Sequence, residues 1–401
     1  MSDLHRVALC GAGGFAKNAH LPAIAAASNL HLAAVYSRSR SSAESLVEAS
    51  KKYSNIAHDE LALYSDDSPS PDRTLDALLA RTDIPTVIFS LPISTQPALI
   101  ERALEAGKNV ISEKPVAPSL AEAKRLIALY EREYRPRGQS WFVAEQFPWE
   151  LSYSKAAKWV REGKLGQVRG FKAEVFVQPS QMARSTGWRQ VPDYQGGYIL
   201  DGGVHFVAGL RHILPYPITS VFAVAHQHQE FLPPCDTLAG VLTATPPPPS
   251  PSPSSPSSTP SSSPQSTISG TFTFSFGTES GTARSYTVLG SKAQLVVDFA
   301  RKGVHTVTLS TLPTSPDESS AHELVVEFPQ RGVEEEFDAF GVALASGEGS
   351  APWLDAMLRS GPRATLRDLG VIEGALKSAR DGTAVDLRDL VGGDDWFEIR
   401  A

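Results

Sequence analysis

Lys114 stands in Glu113-Lys114-Pro115, directly after a short apolar run. An ammonium at the carboxyl end of a strand sits where open α/β sheets hold their ligands, and can stabilise negative charge on oxygen. Pro115 biases Lys114 toward extended backbone. Far upstream, Gly11-Ala12-Gly13-Gly14-Phe15-Ala16 follows the first apolar run and opens a helical segment, the context that a dinucleotide turn requires. There Gly11 permits the tight turn, Gly13 lets the backbone approach a pyrophosphate, and Ala16 allows close packing of helix on strand. Unpaired N–H groups at the helix start face the phosphates. A third cluster, Trp188-Arg189 and Gly196-Gly197-Tyr198-Ile199-Leu200-Asp201-Gly202-Gly203-Val204-His205, adds a carboxylate and an imidazole. Asp201 and His205 are four apart and share one face if helical. Such a pair can ligate metal, form a structural hydrogen bond or move a proton. No Cys or third carboxylate stands in register with it, so no metal is expected. His226 and His228 read as solvated strand residues. Together the three clusters read as a hydride-transfer site.

The cofactor type is set at the end of the second apolar run, where NAD sites usually place an acid for the ribose 2′-hydroxyl. Here the chain reads Tyr36-Ser37-Arg38-Ser39-Arg40, with a hydroxyl and guanidinium groups suited to a 2′-phosphate. NADP(H) is therefore favoured over NAD(H), and Arg38 could also stack on the adenine.

The elements that must position these groups alternate through residues 1–145. Arg6 to Cys10, His31 to Tyr36, Thr86 to Leu91, Asn109 to Ser112 and Trp141 to Ala144 have the length of buried parallel strands. Helical segments lie between them, the clearest opening at Ser119-Leu120-Ala121-Glu122 with capping-box spacing. This predicts a Rossmann dinucleotide-binding domain with a parallel sheet, with Ser65 to Asp72 as a surface loop. From residue 146 to 401 the pattern changes to a helix near Ser154 to Glu162 and longer alternating strands. Those strands are expected around Val168 to Val177, Val221 to Gln227, Thr237 to Thr245, Arg284 to Leu289, Gln294 to Phe299, Val304 to Leu309 and Glu323 to Phe328. Phe272, Phe274 and Phe276 add one more, pointing one way. Closing helices include one with Leu366, Leu369, Ile372, Leu376 and Ala379 on a face. The second half is expected to be an α+β domain on a large, mostly antiparallel open sheet. The Pro/Ser-rich stretch 246–266 reads as a mobile hairpin loop inserted between two of its strands.

At 401 residues with 41% apolar and 20% charged residues, the composition is that of an ordinary globular protein. A net charge of −7 gives no bulk attraction for nucleic acid or an anionic membrane. No apolar run reaches the roughly 20 residues of a membrane span. The N-terminus has no signal-peptide shape, and Cys10 and Cys235 fall in apparent strands of different domains, which suits a reducing compartment. The expected location is cytoplasmic.

Taken in order, these motifs, with Leu91-Pro92 and Ala106-Gly107-Lys108, make the chain resemble the glucose-fructose oxidoreductase/inositol dehydrogenase (Gfo/Idh/MocA) family. It looks most like fungal NADP-dependent members, and the resemblance covers nearly the whole chain. It implies a Rossmann domain followed by an α/β domain whose open sheet often forms a homodimer contact. It implies Lys114 and His205 beside the reacting carbon, Asp201 completing the proton-transfer group, and Arg189 with Trp188 bordering the nicotinamide and a small-molecule substrate. The cofactor is then expected against Gly11, Gly13, Gly14, Phe15, Ala16, Ser37, Arg38, Leu91, Pro92, Gln96, Glu113, Lys114, Gln146, Trp188 and Arg189. Two positions depart from the family pattern. Gln96 stands where a His is common. The segment Ala144-Glu145-Gln146-Phe147-Pro148-Trp149 lacks the Arg of many sugar-acting members, which opens the way to a less polar carbonyl substrate. A cofactor-sensing regulator on the same fold, or an NAD-linked sugar or inositol dehydrogenase, are the alternatives.

Overall fold

Short strands that are buried at every position can only pair inside a sheet covered on both faces. Two of the strands in the first half, β4 (Thr86–Phe89) and β6 (Trp141–Ala144), are of this kind. They belong with β1 (His5–Cys10), β2 (Leu30–Ser37), β3 (Ala62–Ser65) and β5 (Asn109–Glu113). In this computed structural model, which describes residues 4–179, 187–246, 267–280, 282–311 and 322–397, the six form one parallel sheet. Its order is β3-β2-β1-β4-β5-β6, so the direction of winding reverses between β1 and β4. Ligands of such sheets bind outside the carboxyl ends of the strands at that reversal. The crossovers are α1 (Leu21–Ala26), α2 (Arg40–Ser50), α3 (Leu75–Leu79), α4 (Gln96–Glu105) and α5 (Leu120–Leu129). Ser119 caps α5 as expected, its hydroxyl accepting from the Glu122 N–H at 3.3 Å. The Glu122 carboxylate binds Arg125 at 2.9 Å instead of turning back to the cap.

Two readings of this half need correction. The expected strand from Thr86 stops at Phe89, because Leu91-Pro92 already belongs to the ligand-side turn. A strand was overlooked at Ala62–Ser65, four residues long at the sheet edge, so that Ser65 ends a strand before the turn that follows.

The second sheet has nine strands: β7 (Val168–Phe176), β8 (Ile218–His226), β9 (Thr237–Ala244), β10 (Ile268–Ser275), β11 (Ala283–Gly290), β12 (Ala293–Asp298), β13 (Val304–Thr311), β14 (His322–Pro329) and β15 (Val385–Asp386). Only β7 and β10 pair in parallel; every other pairing is antiparallel. β9 and β10 are neighbours with Ala244 opposite Ile268, so their connection joins two adjacent antiparallel strands, as the sequence indicated. The Pro/Ser-rich residues themselves, 247–266, lie outside the described residues. Phe272, Phe274 and Phe276 are all buried. Cys10 lies in β1, but Cys235 lies in the loop before β9; both are buried and unpaired.

Helices α6 (Leu151–Arg161), α7 (Gly187–Gln190), α8 (Gly197–Ile213), α9 (Gly332–Ser346), α10 (Ala351–Ser360) and α11 (Pro362–Asp381) complete the second half. They do not all stay with the second sheet. α9 packs on α1, Phe340 of α9 stacks on Phe142 of β6 at 5.0 Å, and Trp353 of α10 donates to the Ser140 hydroxyl at 2.8 Å. Residue 145 thus separates the two sheets, while helices from beyond residue 332 fill the core of the first domain.

Candidate active site

The site begins with Gly11, whose φ of +117° places it where L side chains are strained. A Cβ there would also collide with the carbonyl oxygen of Ser90, across the β1–β4 reversal. Gly13 is different: a Cβ would meet nothing within 4 Å, so this backbone faces open space. A turn closed on one side by Ser90 and open above Gly13 is the cradle a dinucleotide pyrophosphate needs, and the residues fit that group. The helix after it, residues 14–26, includes a π-helical stretch, Ala16–His20. That stretch carries His20 inward, where its Nε2 meets Glu113 Oε1 at 2.6 Å and its ring lies between Phe15 and Phe337. The pyrophosphate helix is thereby tied to the end of β5.

Gln96, expected beside the cofactor, is buried, and its amide donates to the Glu113 carbonyl at 3.1 Å. Through this bond it supports the backbone that carries Lys114. Leu91, Pro92 and Gln146 lie partly buried at the ends of β4 and β6, on the ligand side of the sheet.

Lys114 reaches out of the first domain to α8. Its Nζ donates at 2.8 Å to Oδ1 of Asp201 and at 2.8 Å to the Asp201 carbonyl. Arg189 on α7 donates from Nε to the other carboxylate oxygen at 2.7 Å, with its guanidinium 4.0 Å from the Trp188 ring. Burial alone would raise the Asp201 carboxyl, but Lys114 and Arg189 outweigh it and hold it well below the usual carboxylate range. Burial alone would lower the Lys114 ammonium; Asp201 and Glu113 outweigh that, and it stands above an ordinary lysine. Both groups are charged at neutral pH.

His205 lies one turn beyond Asp201 on the same helix, as the spacing predicted. The resemblance placed Asp201 in the proton-transfer group with His205, but no hydrogen bond joins the two among the described residues. Both Asp201 oxygens are taken by cations, and the His205 Nδ1 instead meets Glu145 at 2.7 Å (Oε1) and 2.9 Å (Oε2). Phe147 stacks on the His205 ring at 5.0 Å with an interplanar angle of 15°. Glu145 follows β6, beside the Glu113-Lys114 end of β5, and Glu113 and Ala144 are register partners. The strand-end argument that singled out Lys114 would have found Glu145 as well.

One more carboxyl lies beneath. Glu336 on α9 is buried, its Oε2 finds no hydrogen-bond partner among the described residues, and burial with Glu113, Glu145 and Glu150 nearby raises it well above the usual range. No sequence pattern marked it, because the helix that carries it comes from more than 180 residues beyond these strand ends, taking Glu145 and Glu336 as the two positions. His228 and His226 lie apart from this site; His228 pairs with Asp236 at 3.0 Å.

Comparison with known proteins bears on the family and the fold. Residues 5–136 match the model of the oxidoreductase family with the NAD-binding Rossmann fold, and residues 153–247 match the GFO/IDH/MocA C-terminal domain. The chain is 32% identical over 378 residues to the dehydrogenase FPY6 of Fusarium mangiferae, covering 93% of this chain and 96% of that one. The chain belongs to the Gfo/Idh/MocA oxidoreductase family. Within that family it is also 31% identical over 200 residues to the dTDP-3,4-didehydro-2,6-dideoxy-alpha-D-glucose 3-reductase of Streptomyces violaceoruber, about half of each chain (50% and 52%). Among solved structures, the 3-ketoreductase KijD10 of Actinomadura kijaniata, in complex with TDP-benzene and NADP, shares the fold. It has a TM-score of 0.68 and 22% identity, covering 94% of this chain and 98% of that one. A putative NADPH-dependent oxidoreductase of Desulfitobacterium hafniense does so with a TM-score of 0.74 and 19% identity, covering 98% and 100%.

The buried carboxyls make a pH prediction. Burial raises Glu150 from 4.5 to about 7, against the pull of the Arg331 and Gly332 backbone N–H groups. The folded state therefore holds this proton more tightly than the unfolded chain. Its contribution to stability falls as pH rises from 4.5 to about 7 and is level above that. Glu150→Gln keeps an acceptor for the Arg331 N–H and removes the titration. Urea unfolding at about pH 5 and about pH 8 should differ less in this variant than in the unaltered protein, by on the order of 1–3 kcal/mol. An unchanged difference contradicts the assignment.

Proposed function

We propose that this oxidoreductase uses NADP(H) to move a hydride between the nicotinamide and a hydroxyl or carbonyl carbon of a small substrate. The observation that carries the reading is the convergence of a charged amine from the first sheet and an imidazole from the second domain on one face of α8. Bound nicotinamide supplies the hydride donor or acceptor. Everything else falls to this chain's residues. Gly11, Gly13, Gly14, Phe15 and Ala16 would hold the pyrophosphate, and Trp188 with Arg189 would border the nicotinamide.

Lys114 has three N–H donors, and two are spent on Asp201. The third would point to the substrate oxygen, where a fixed positive charge stabilises the alkoxide character of the transition state. His205 has spent Nδ1 on Glu145, so Nε2 would accept the hydroxyl proton in oxidation and return it in reduction. Asp201 would keep both cations charged and in place.

NADP is favoured by the end of β2. Arg38 is exposed and has no ion-pair partner among the described residues, while Arg40 is held by Glu44 at 2.8 Å. The nearby carboxylates are occupied: Asp66 accepts from the Tyr36 hydroxyl at 2.7 Å and Asp67 from the Arg40 N–H at 2.7 Å. Ser37 and Arg38 would therefore meet the 2′-phosphate. Relatives described as binding NADP or acting on sugar ketones support the same reading. The aromatic groups beside His205 and Arg189 (Phe147 and Trp188) favour a carbonyl compound with an apolar face over a fully hydroxylated sugar.

We also propose a cytoplasmic homodimer. The inner face of the second sheet is covered by α8 and α11, but the outer face exposes Phe222, Val224, Val241 and Leu289, with Phe222 and Val241 register partners. A row of exposed apolar residues on an open sheet suits a second copy of the same face. Two buried, unpaired cysteines suit a reducing compartment.

Three measurements test these readings. Lys114→Ala and His205→Ala should each lower kcat on a responsive aldehyde or ketone by on the order of 10²-fold or more, with the NADPH Kd changed little. Turnover equal to the unaltered protein in both variants refutes the roles. Arg38→Ala should weaken NADPH by about tenfold or more and leave NADH unaffected; an equal effect on both cofactors refutes the 2′-phosphate contact. In ultracentrifugation the unaltered protein should sediment as a dimer and Phe222→Glu as a monomer. A monomeric unaltered protein rules out the interface.

A further inference from the structure

In the reaction as drawn Glu145 only occupies His205 Nδ1, yet it is almost fully buried, with a side-chain exposure of 1%, and lies against the proton-transfer group. Its two oxygens both approach the same ring nitrogen, at 2.7 and 2.9 Å from His205 Nδ1. A bare Nδ1 would turn a lone pair toward the carboxylate at these distances, so with Glu145 ionised the hydrogen is on Nδ1. The neutral ring is then the Nδ1–H tautomer, and the bare nitrogen is Nε2. The ring plane is fixed as well. Phe147 stacks on it, and the Phe147 backbone N–H donates to Glu145 Oε1 at 3.2 Å, so the carboxylate and the stacking ring are held together. Asp201 does not do this work: its oxygens accept from Lys114 and Arg189, and His205 Nδ1 already faces Glu145.

We infer that Glu145 is the positioning residue of proton transfer, holding His205 with Nδ1 protonated so that Nε2 faces the substrate. Asp201 serves only the two cations. This division rests on the hydride-transfer reading above. In oxidation the substrate O–H bond breaks and its proton forms a bond to Nε2. The C–H electron pair leaves as hydride to the nicotinamide, and the C=O bond forms. The ring becomes an imidazolium facing Glu145, and reduction reverses each change.

The test does not depend on turnover alone. In cofactor-free protein labelled with ring-¹⁵N histidine, the His205 signals are assigned by their loss in His205→Gln. The unaltered protein should show a protonated Nδ1 and a bare Nε2 in the neutral ring. Glu145→Leu, similar in size but with no acceptor, and Glu145→Ala should move the proton to Nε2. Both should lower kcat by on the order of 10²-fold or more while NADPH Kd stays within about twofold. Glu145→Gln can still accept from Nδ1–H through its amide oxygen and should recover part of the loss. The inference is overturned if Leu or Ala variants that retain the native circular dichroism keep the Nδ1–H tautomer, or keep kcat within about twofold. If Leu and Ala both lose the fold, Glu145→Gln decides by the same two readouts: full kcat with an Nε2–H ring overturns it, and a kcat loss that follows Nδ1 deprotonation supports it. A protein that turns over no carbonyl compound refutes the hydride-transfer reading and leaves the tautomer measurement intact.

Discussion

Asp201 is a buried carboxylate shared between two cations that arrive from different parts of the fold, Lys114 from the end of β5 and Arg189 from α7. Moving such a charge from water into protein is costly, and the attraction of one partner often fails to offset it. Here two cations and a second, backbone contact from Lys114 do so, which is why the carboxyl stays ionised despite full burial. The arrangement also explains what Asp201 does not do. A carboxylate with a cation on each oxygen has little left to offer an imidazole one turn away, so that imidazole is served by a separate carboxylate from the first domain. The cleft is therefore joined twice across the domain boundary: by Lys114 with Asp201 and by Glu145 with His205. Any shift of α8 relative to the first sheet would break both pairs together.

That dependence accounts for the path of the C-terminal helices. If the first domain were closed by its own crossovers alone, the cleft would depend on two ion pairs to hold the halves in register. Instead α9 and α10 return to cover it, through the Phe142–Phe340 stack and the Trp353–Ser140 hydrogen bond. Just past the boundary, Trp149 also holds this return in place, donating to Ser360 at 2.7 Å. The same return brings Glu336 beneath Glu113 and Glu145, a buried acid among other acids. Burial among these acids makes Glu336 hold its proton more tightly than a carboxyl in water, which limits the negative charge beside the Glu145 and Glu113 oxygens that meet His205 and His20.

The fold was legible wherever local pattern and burial coincide. The strands of the first sheet, the cap at Ser119 and the alternating phenylalanines of β10 follow from period and composition, because each side chain's environment is set by its own element. The turn at Gly11 was legible for a stricter reason: only glycine tolerates that φ and the approach of Ser90. β3 was missed because four residues at a sheet edge carry too little pattern to stand out. Lys114, Arg189, Asp201 and His205 were found as residues, yet their pairing was not. Chain spacing showed that Asp201 and His205 share a helix face, and it could not show that Lys114 and Arg189 reach Asp201 first. Glu145 and Glu336 gain their roles only from contacts across the domain boundary, and no local period encodes these.

Separating charge from proton has a physical advantage in a cleft this dry. If a single carboxylate had to hold the ammonium and also balance an imidazolium, each proton passed to His205 would alter the field at Lys114. With Asp201 fixed between two permanent cations, protonation of His205 is balanced locally by Glu145 on the far side of the ring. In the proposed reaction the charge that would stabilise the substrate oxygen then stays nearly constant while the proton moves. Electrostatic preorganisation of this kind is effective because the dipoles and charges need not rearrange during the reaction. The stack of Phe147 on His205 serves the same end, since a ring that cannot turn keeps Nε2 aimed at one point. In the proposed reaction the substrate's reacting oxygen would come to that point, within reach of Lys114, so these two groups would define where a carbonyl sits before any other part of the substrate is recognised.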